Sequence, residues 1–375
     1  MGKNKLTRKE IEEIPAAPSE QPEDKKSKVL GIGGGTGLST LFRGLRNKDL
    51  DISGIISVTD DGGSSGRLRE GFGILPPGDF RNCLVALSDT EPILQKLFQH
   101  RFEGNDPLSG HSFGNLFILA MEEITGSFEE ALEESCKILN VKGQLIPSTL
   151  DQINLSAEMK DGSTINGESN IQKNYSGIKK LNLNPLPNKE RGLEGGWSWT
   201  PFANQKAIEE IMIADYIVIG PGSLYTSIIP NFLVPEIAHF VEISSAKKIY
   251  VCNIATQLGE TTDFDACDHV QTLLDYCNNA SSRLINTDPN VRAINLLKEE
   301  DYFTKRAVSF NLDYIIVNNN IGNLGKGFPT SKCVEIGNLK EEWGEIILED
   351  LMNTDFKGHH DSDKLANVIM DIINK

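Results

Sequence analysis

Lys28–Ser39 reads KVLGIGGGTGLS, an apolar run over Val29–Ile32 that breaks into Gly33, Gly34, Gly35, Thr36 and Gly37 before a helix-like stretch, Thr36–Arg46. Glycine lets the backbone come within hydrogen-bond distance of a ligand and then turn sharply. A helix opening just past such a turn aims unpaired N–H groups and the positive end of its dipole at whatever sits there, and phosphate is the usual guest. The design repeats at once. Strand Ile52–Val58 runs into Thr59-Asp-Asp-Gly-Gly-Ser-Ser-Gly66. Strand, glycine turn and helix in succession predict an α/β, Rossmann-like, doubly wound and mostly parallel sheet, with ligands at the carboxyl edge of its strands.

Outward from this start, the 375 residues are 39% hydrophobic and 24% charged, a globular composition. A net charge of -16 argues against nucleic acid, which needs a basic face, and against an anionic membrane surface. Cysteines 83, 136, 252, 267, 277 and 333 lack CxxC pairs or metal-like spacing and read as reduced thiols of a cytoplasmic protein. No apolar run approaches the roughly 20 residues that span a bilayer. The N-terminus lacks the apolar stretch of a secretory signal.

Residues 1–27 carry mixed charge with almost no apolar periodicity and read as a disordered tail ahead of one α/β domain, 28–375. Within it Glu91–Phe102 and Phe113–Thr125 read as helices, the second N-capped by Ser112. Ser127 and Glu130 suit a capping box for a helix to Leu139. A small β excursion is expected over 143–171, turning at Asp161-Gly162, and a Pro/Trp-rich loop insertion over 175–203. The α/β rhythm resumes with helix Asn204–Ala214, strand Tyr216–Ile219, strand Lys248–Asn253 and helix Asp265–Asn279. Residues 281–309 read as an unplaced insertion. Strand Leu312–Val317 is expected to close the sheet, and 332–375 to supply a strand pair and a final helix, Ser362–Ile373.

Six clusters carry chemistry. The Gly33–Gly37 loop is neither GxGxxG nor a Walker A sequence, since no lysine follows it. Asp60 and Asp61 leave a buried strand side by side, repelling one another unless a cation or hydrogen-bond donors offset them. With Ser64 and Ser65 in the same glycine nest they suit a Mg²⁺-diphosphate, the carboxylates holding the metal. Arg67 and Arg69 follow, so cation-free anion binding stands beside it. Asp79, Arg81 and Asn82 lie in Pro76-Pro-Gly-Asp-Phe-Arg-Asn82, where the arginine offers a bidentate fork to an anion or pairs internally with Asp79. His111, Ser112 and Asn115 surround a helix start. A third glycine turn, with Gly222 and Ser223, follows Ile219, and a fourth turn, with Asn253 and Thr256, offers amide and hydroxyl groups fit for a sugar or base.

Together GIGGGTGLSTLFRGL, TDDGGSSGRL, LPPGDFRNCL, GHSFGNL, GPGSLYTSIIPNFLVPEI, CNIATQLGET and HDSDKLA resemble the YvcK branch of the CofD-like proteins, whose members are called gluconeogenesis factors. The resemblance runs from about Lys28 to the C-terminus. It implies a Rossmann-like fold, binding of UDP-sugars such as UDP-N-acetylglucosamine, and a role in cell morphogenesis and growth on gluconeogenic carbon sources. The sister CofD branch implies 2-phospho-lactate transfer with a divalent metal at the diphosphate. Carried over by motif, Gly33–Gly37, Asp60, Asp61, Ser64, Ser65, Asp79, Arg81, Asn82, Asn115, Gly222, Ser223, Asn253 and Thr256 line the site. The expected function is therefore a nucleotide-sugar-binding regulatory protein acting through protein partners. A metal-dependent transferase and an NAD-binding protein are the alternatives, and a homodimer is left open. His111 is the only histidine in the site motifs that could move a proton near neutral pH, which favours binding over catalysis.

Overall fold

The computed structural model describes residues 26–186, 200–278, 310–325 and 330–375. The tail expected over 1–27 lies almost wholly outside these residues, as does the insertion over 281–309.

The chain opens with β1 (Ser27–Gly33), α1 (Gly35–Leu45), β2 (Leu50–Ile56), α2 (Gly63–Phe72), α3 (Gly78–Leu87) and α4 (Pro92–Gln99). α5 (Phe113–Thr125), α6 (Phe128–Ile138) and β3 (Gln144–Pro147) follow. Next come β4 (Ile153–Met159), β5 (Thr164–Asn166), a helical turn (Glu168–Ile171) and β6 (Ile178–Pro185). The last part holds α7 (Gln205–Ile213), β7 (Tyr216–Ile219), α8 (Pro235–Ile243), β8 (Lys247–Val251), α9 (Ala266–Asn278), β9 (Tyr314–Asn318), β10 (Glu345–Glu349) and α10 (Ser362–Ile373).

Among the described residues seven strands form one sheet in the order β10-β9-β8-β7-β1-β2-β3, and every pairing among them is parallel. The expected doubly wound fold is therefore present, with its switch point between β1 and β7, where strand order reverses. Both faces are buried, which is why the strands read as near-continuous apolar runs. Val29, Val218, Ile249 and Ile316 face a core shared with α1, α3, α6 and α10. Leu30, Ile217, Tyr250 and Ile315 face the opposite core, shared with α7, α8, α9 and the small sheet. Ser112 and Ser127 cap α5 and α6, accepting the N–H groups of Asn115 and Glu130.

Three expectations need correction. Gln144–Pro147 is not part of the β excursion but pairs with β2 as the edge of the main sheet. The excursion is instead a three-stranded antiparallel sheet, β5-β4-β6. Its third strand, β6, lies inside the expected 175–203 loop, because Ile178 and Leu181 face inward from a run otherwise rich in Lys, Asn and Pro. The tryptophan-bearing residues 187–199 lie outside the described residues. Finally, β9 does not close the sheet. β10 pairs outside it, a single short edge strand with glutamates at both ends where a strand pair was expected.

Glu236, in the first turn of α8, is 3% exposed and accepts the Ala203 N–H at 3.4 Å. Burial, with a smaller push from Asp151, raises its pKa to about 7. The unfolded chain ionises this group from about pH 4.5, so its contribution is intact below that and is lost as pH rises to about 7. Stability should therefore decline over that window by up to about 3 kcal/mol from this group. Glu236→Gln should flatten that decline in urea denaturation at stepped pH. An unchanged slope would discard the assignment.

Candidate functional site

The carboxyl ends of β1, β2, β7 and β8 meet at the switch point. Gly33 ends β1, and its carbonyl accepts the Ser57 N–H at 3.0 Å. Gly34 is extended, Gly35 has φ +61°, and Thr36 is exposed in the first turn of α1. A Cβ on Gly37 would lie 2.3 Å from the Pro221 carbonyl oxygen, so α1 starts in direct backbone contact with the turn after β7. The Gly222 N–H donates to Asn253 Oδ1 at 3.3 Å, and Gln257 Nε2 donates to Ser223 Oγ at 2.5 Å. The β1, β7 and β8 turns thus form one wall.

The other wall is the β2 exit and the start of α3. Asp60 Oδ1 accepts the Gly62 N–H at 2.9 Å, which leaves Oδ2 facing Gly78. A Cβ on Gly78 would sit 2.7 Å from that oxygen, and a Cβ on Gly34 would sit 2.7 Å from Asp79 Oδ2. The two glycines therefore keep both oxygens clear and join the walls. Burial first, then the Asp60 charge, raises the Asp79 pKa to about 7, against the Gly35 N–H and Arg81.

Behind this wall stands a second layer. Ser64 Oγ pairs with His111 Nδ1 at 3.0 Å, and Asn115 Nδ2 donates to Ser65 Oγ at 3.5 Å. Arg81 donates to Ser112 Oγ at 2.6 Å, Asn115 Oδ1 at 3.1 Å and Asn82 Oδ1 at 2.8 Å. These groups knit α2, α3 and α5 together. Burial lowers the His111 pKa, with Arg67 and Arg101 adding to it.

Several expected residues point elsewhere. Asp61 Oδ1 accepts the Ser169 N–H at 2.8 Å, so the Asp60–Asp61 pair parts, each carboxylate with its own neighbours. Arg67 donates to the Ser109 carbonyl and Arg69 to the Ile153 carbonyl. All three arginines weighed for metal-free anion binding therefore hold protein acceptors. Thr256 is 3% exposed, and its hydroxyl accepts the Lys332 N–H at 3.0 Å rather than facing the cleft.

Motif reading missed two groups. Glu168, from the small sheet, accepts the Thr59 hydroxyl at 3.0 Å. Burial, then Asp79 and Asp60, hold its pKa well above the carboxylate range. Nothing in its local sequence, GESN, marks it. Asn231, 0% exposed, donates to the carbonyls of Gly33, Ser227 and Ile228 at 3.2, 2.9 and 3.2 Å. It holds the first glycine turn against the π-helical turn Leu224–Ile228. Its one signal is a polar residue inside the apolar stretch IIPNF.

Among the described residues no group of three or more His, Cys, Asp or Glu is placed to hold a metal ion, and no helix is long and apolar enough to cross a membrane.

Fold and cleft define a doubly wound α/β protein with glycine turns and helix N-termini gathered at one switch point. The family model described as 2-phospho-L-lactate transferase CofD matches residues 29–325. A gluconeogenesis factor from Halalkalibacterium halodurans is 49% identical over 253 residues, 68% of this chain and 74% of that protein. A relative from Aquifex aeolicus is 42% identical over 354 residues, 93% of this chain and 97% of that one. The matched part of a Nostoc relative, 52% identical, is about half (51%) of that protein's length. A crystal structure of a Bacillus halodurans protein superposes with TM-score 0.76 at 38% identity, covering 92% of this chain and 100% of that one. The chain belongs to the CofD family, in the YvcK branch of gluconeogenesis factors.

Proposed function

We propose that this protein is a cytoplasmic regulatory protein that binds a nucleotide-sugar of the UDP-N-acetylglucosamine type and supports cell morphogenesis and growth on gluconeogenic carbon sources. The observation that carries the reading is the meeting of three glycine turns at one switch point, a place where a diphosphate is held by backbone N–H groups. Around them the polar groups are mostly amides, hydroxyls and N–H donors, which suit ground-state recognition. Its partners are the nucleotide-sugar and regulatory proteins.

A metal-dependent transferase is the second reading, favoured by the carboxylates of Asp60 and Asp79 beside Gly78 and Gly34. These two, rather than Asp60 with Asp61, fit a Mg²⁺, which takes hard oxygen donors and keeps several waters. When bound, the ion would neutralise the ligand's diphosphate. The chain's own part is to leave room at Gly34 and Gly78 for the two carboxylates and to present N–H groups to the phosphates.

Calorimetry against UDP-N-acetylglucosamine, NAD, GDP and GTP, with Mg²⁺ and with EDTA, separates the readings. Tight binding of the UDP-sugar without turnover is expected. A tenfold or greater loss in EDTA, matched in Asp60→Asn, is the expected sign of a bridging metal. Binding of NAD or GDP alone, or steady release of UDP or UMP, would overturn the regulatory reading.

A further inference from the structure

The small antiparallel sheet is tied to the cleft at the residue that sequence reading gave to a metal. Asp61 Oδ1 accepts the Ser169 N–H at 2.8 Å, and Asp61 Oδ2 fills the space above Gly167 so closely that a Cβ there would sit 2.2 Å away. Gly167 has φ +90°, a conformation that favours glycine. On the other side the Asp61 carbonyl packs against Gly66, where a Cβ would lie 2.1 Å from it. Asp61 is thus clamped between α2 and the turn that carries Glu168. That turn has a second tie, because Gln172 Nε2 donates to Thr226 Oγ1 at 3.2 Å, beyond β7.

Glu168 is half-buried and meets Thr59, with the charges of Asp60 and Asp79 close enough to bear on it. Beyond Thr226, Glu260 is 4% exposed, and its Oε2 is buried without a hydrogen-bond partner. A hydroxyl suits Glu168 in either protonation state, since it donates to a carboxylate and accepts from a carboxylic acid. The glycine turns and helix N-termini serve the phosphate end, and Glu168, on the side of the small sheet, is left for the rest of the ligand.

We propose that Asp61 is a latch seating the small sheet against the cleft, and that Glu168, delivered by that docking, reads hydroxyl groups on the sugar of the bound nucleotide-sugar. The sugar-reading half rests on the function proposed above, whereas the latch does not.

The test titrates UDP and UDP-N-acetylglucosamine into wild type, Asp61→Ala, Asp61→Asn, Glu168→Ala and the Asp61→Ala/Glu168→Ala double variant. Amide exchange across 164–172 is followed in each without ligand. Wild type should bind the UDP-sugar at least about tenfold more tightly than UDP. Glu168→Ala should lose that preference and keep its UDP affinity. Asp61→Ala should do the same, and the double variant should be no worse than Glu168→Ala. Asp61→Asn should retain the preference, because its amide oxygen still accepts the Ser169 N–H. The Ser169 amide should exchange faster only in the two variants that carry Asp61→Ala. Equal losses for both probes in Glu168→Ala, or additive losses in the double variant, overturn sugar reading by Glu168. Unchanged exchange at Ser169 in Asp61→Ala overturns the latch, whatever the ligand. If neither probe binds wild type, the nucleotide-sugar reading falls with the sugar-reading half, and the exchange data still decide the latch.

Discussion

Gly37→Ala should yield a folded but clearly destabilised protein with weakened affinity for the proposed ligand. The added methyl would lie 2.3 Å from the Pro221 oxygen, 2.6 Å from its carbonyl carbon and 2.8 Å from Gly222 Cα. All three are backbone atoms, so no rotamer change relieves the clash, and α1 must withdraw from the turn after β7. Overpacking of this kind costs about 1–3 kcal/mol. The same displacement splits the wall that the β1 and β7 turns form, so on the proposed function UDP-N-acetylglucosamine affinity should fall about tenfold or more, as each 1.4 kcal/mol lost is tenfold. Gly71→Ala is the matched control. That glycine is itself exposed in helix α2, with nothing within 4 Å of a new Cβ, and alanine there should stabilise by up to about 1 kcal/mol. If the two variants share one denaturation midpoint and one affinity, the close approach at Gly37 has no energetic consequence.

Asn231→Leu should be nearly as damaging from a position that touches no ligand. The asparagine amide supplies donors to three carbonyls from a side chain with 0% exposure. Leucine is of similar size but removes them all; the Gly33 carbonyl keeps the Ser57 N–H, and each buried carbonyl left unpaired costs about 1–3 kcal/mol. A loss of about 3 kcal/mol is expected in urea denaturation, with faster amide exchange across Gly33–Gly37. Asn231→Asp keeps the shape but sets a carboxylate against the same carbonyls, and it should be no better than leucine. A tolerated Asn231→Leu, with exchange unchanged in the glycine loop, would show that the loop is held by its own turns.

The alternation of apolar run, glycine turn and amphipathic stretch was enough to read the doubly wound sheet. Ser112 and Ser127 were readable as caps because a cap is a local hydrogen bond. β6 and β10 were not legible as they stand, since a strand with one buried face or an edge position carries little apolar signal. At the site, the glycines and Asp60 announced themselves by their position after a strand. Glu168 and Asn231 did not, because each acts on atoms far away in sequence: Glu168 is 109 residues from Thr59, and Asn231 is 198 from Gly33.

By itself, then, the sequence determined what depends on neighbours along the chain: strand, turn, helix, cap and the gathering of glycine turns at one sheet edge. Only the tertiary structure decided which polar side chains face the cleft. Asp60 and Asp61 are indistinguishable as adjacent carboxylates, yet one finds Gly62 and Gly78 while the other finds Ser169. The physical reason is that a carboxylate partly shielded from water takes whichever donors the folded chain brings to it, and for Asp61 that donor comes from the helical turn after β5, about a hundred residues downstream.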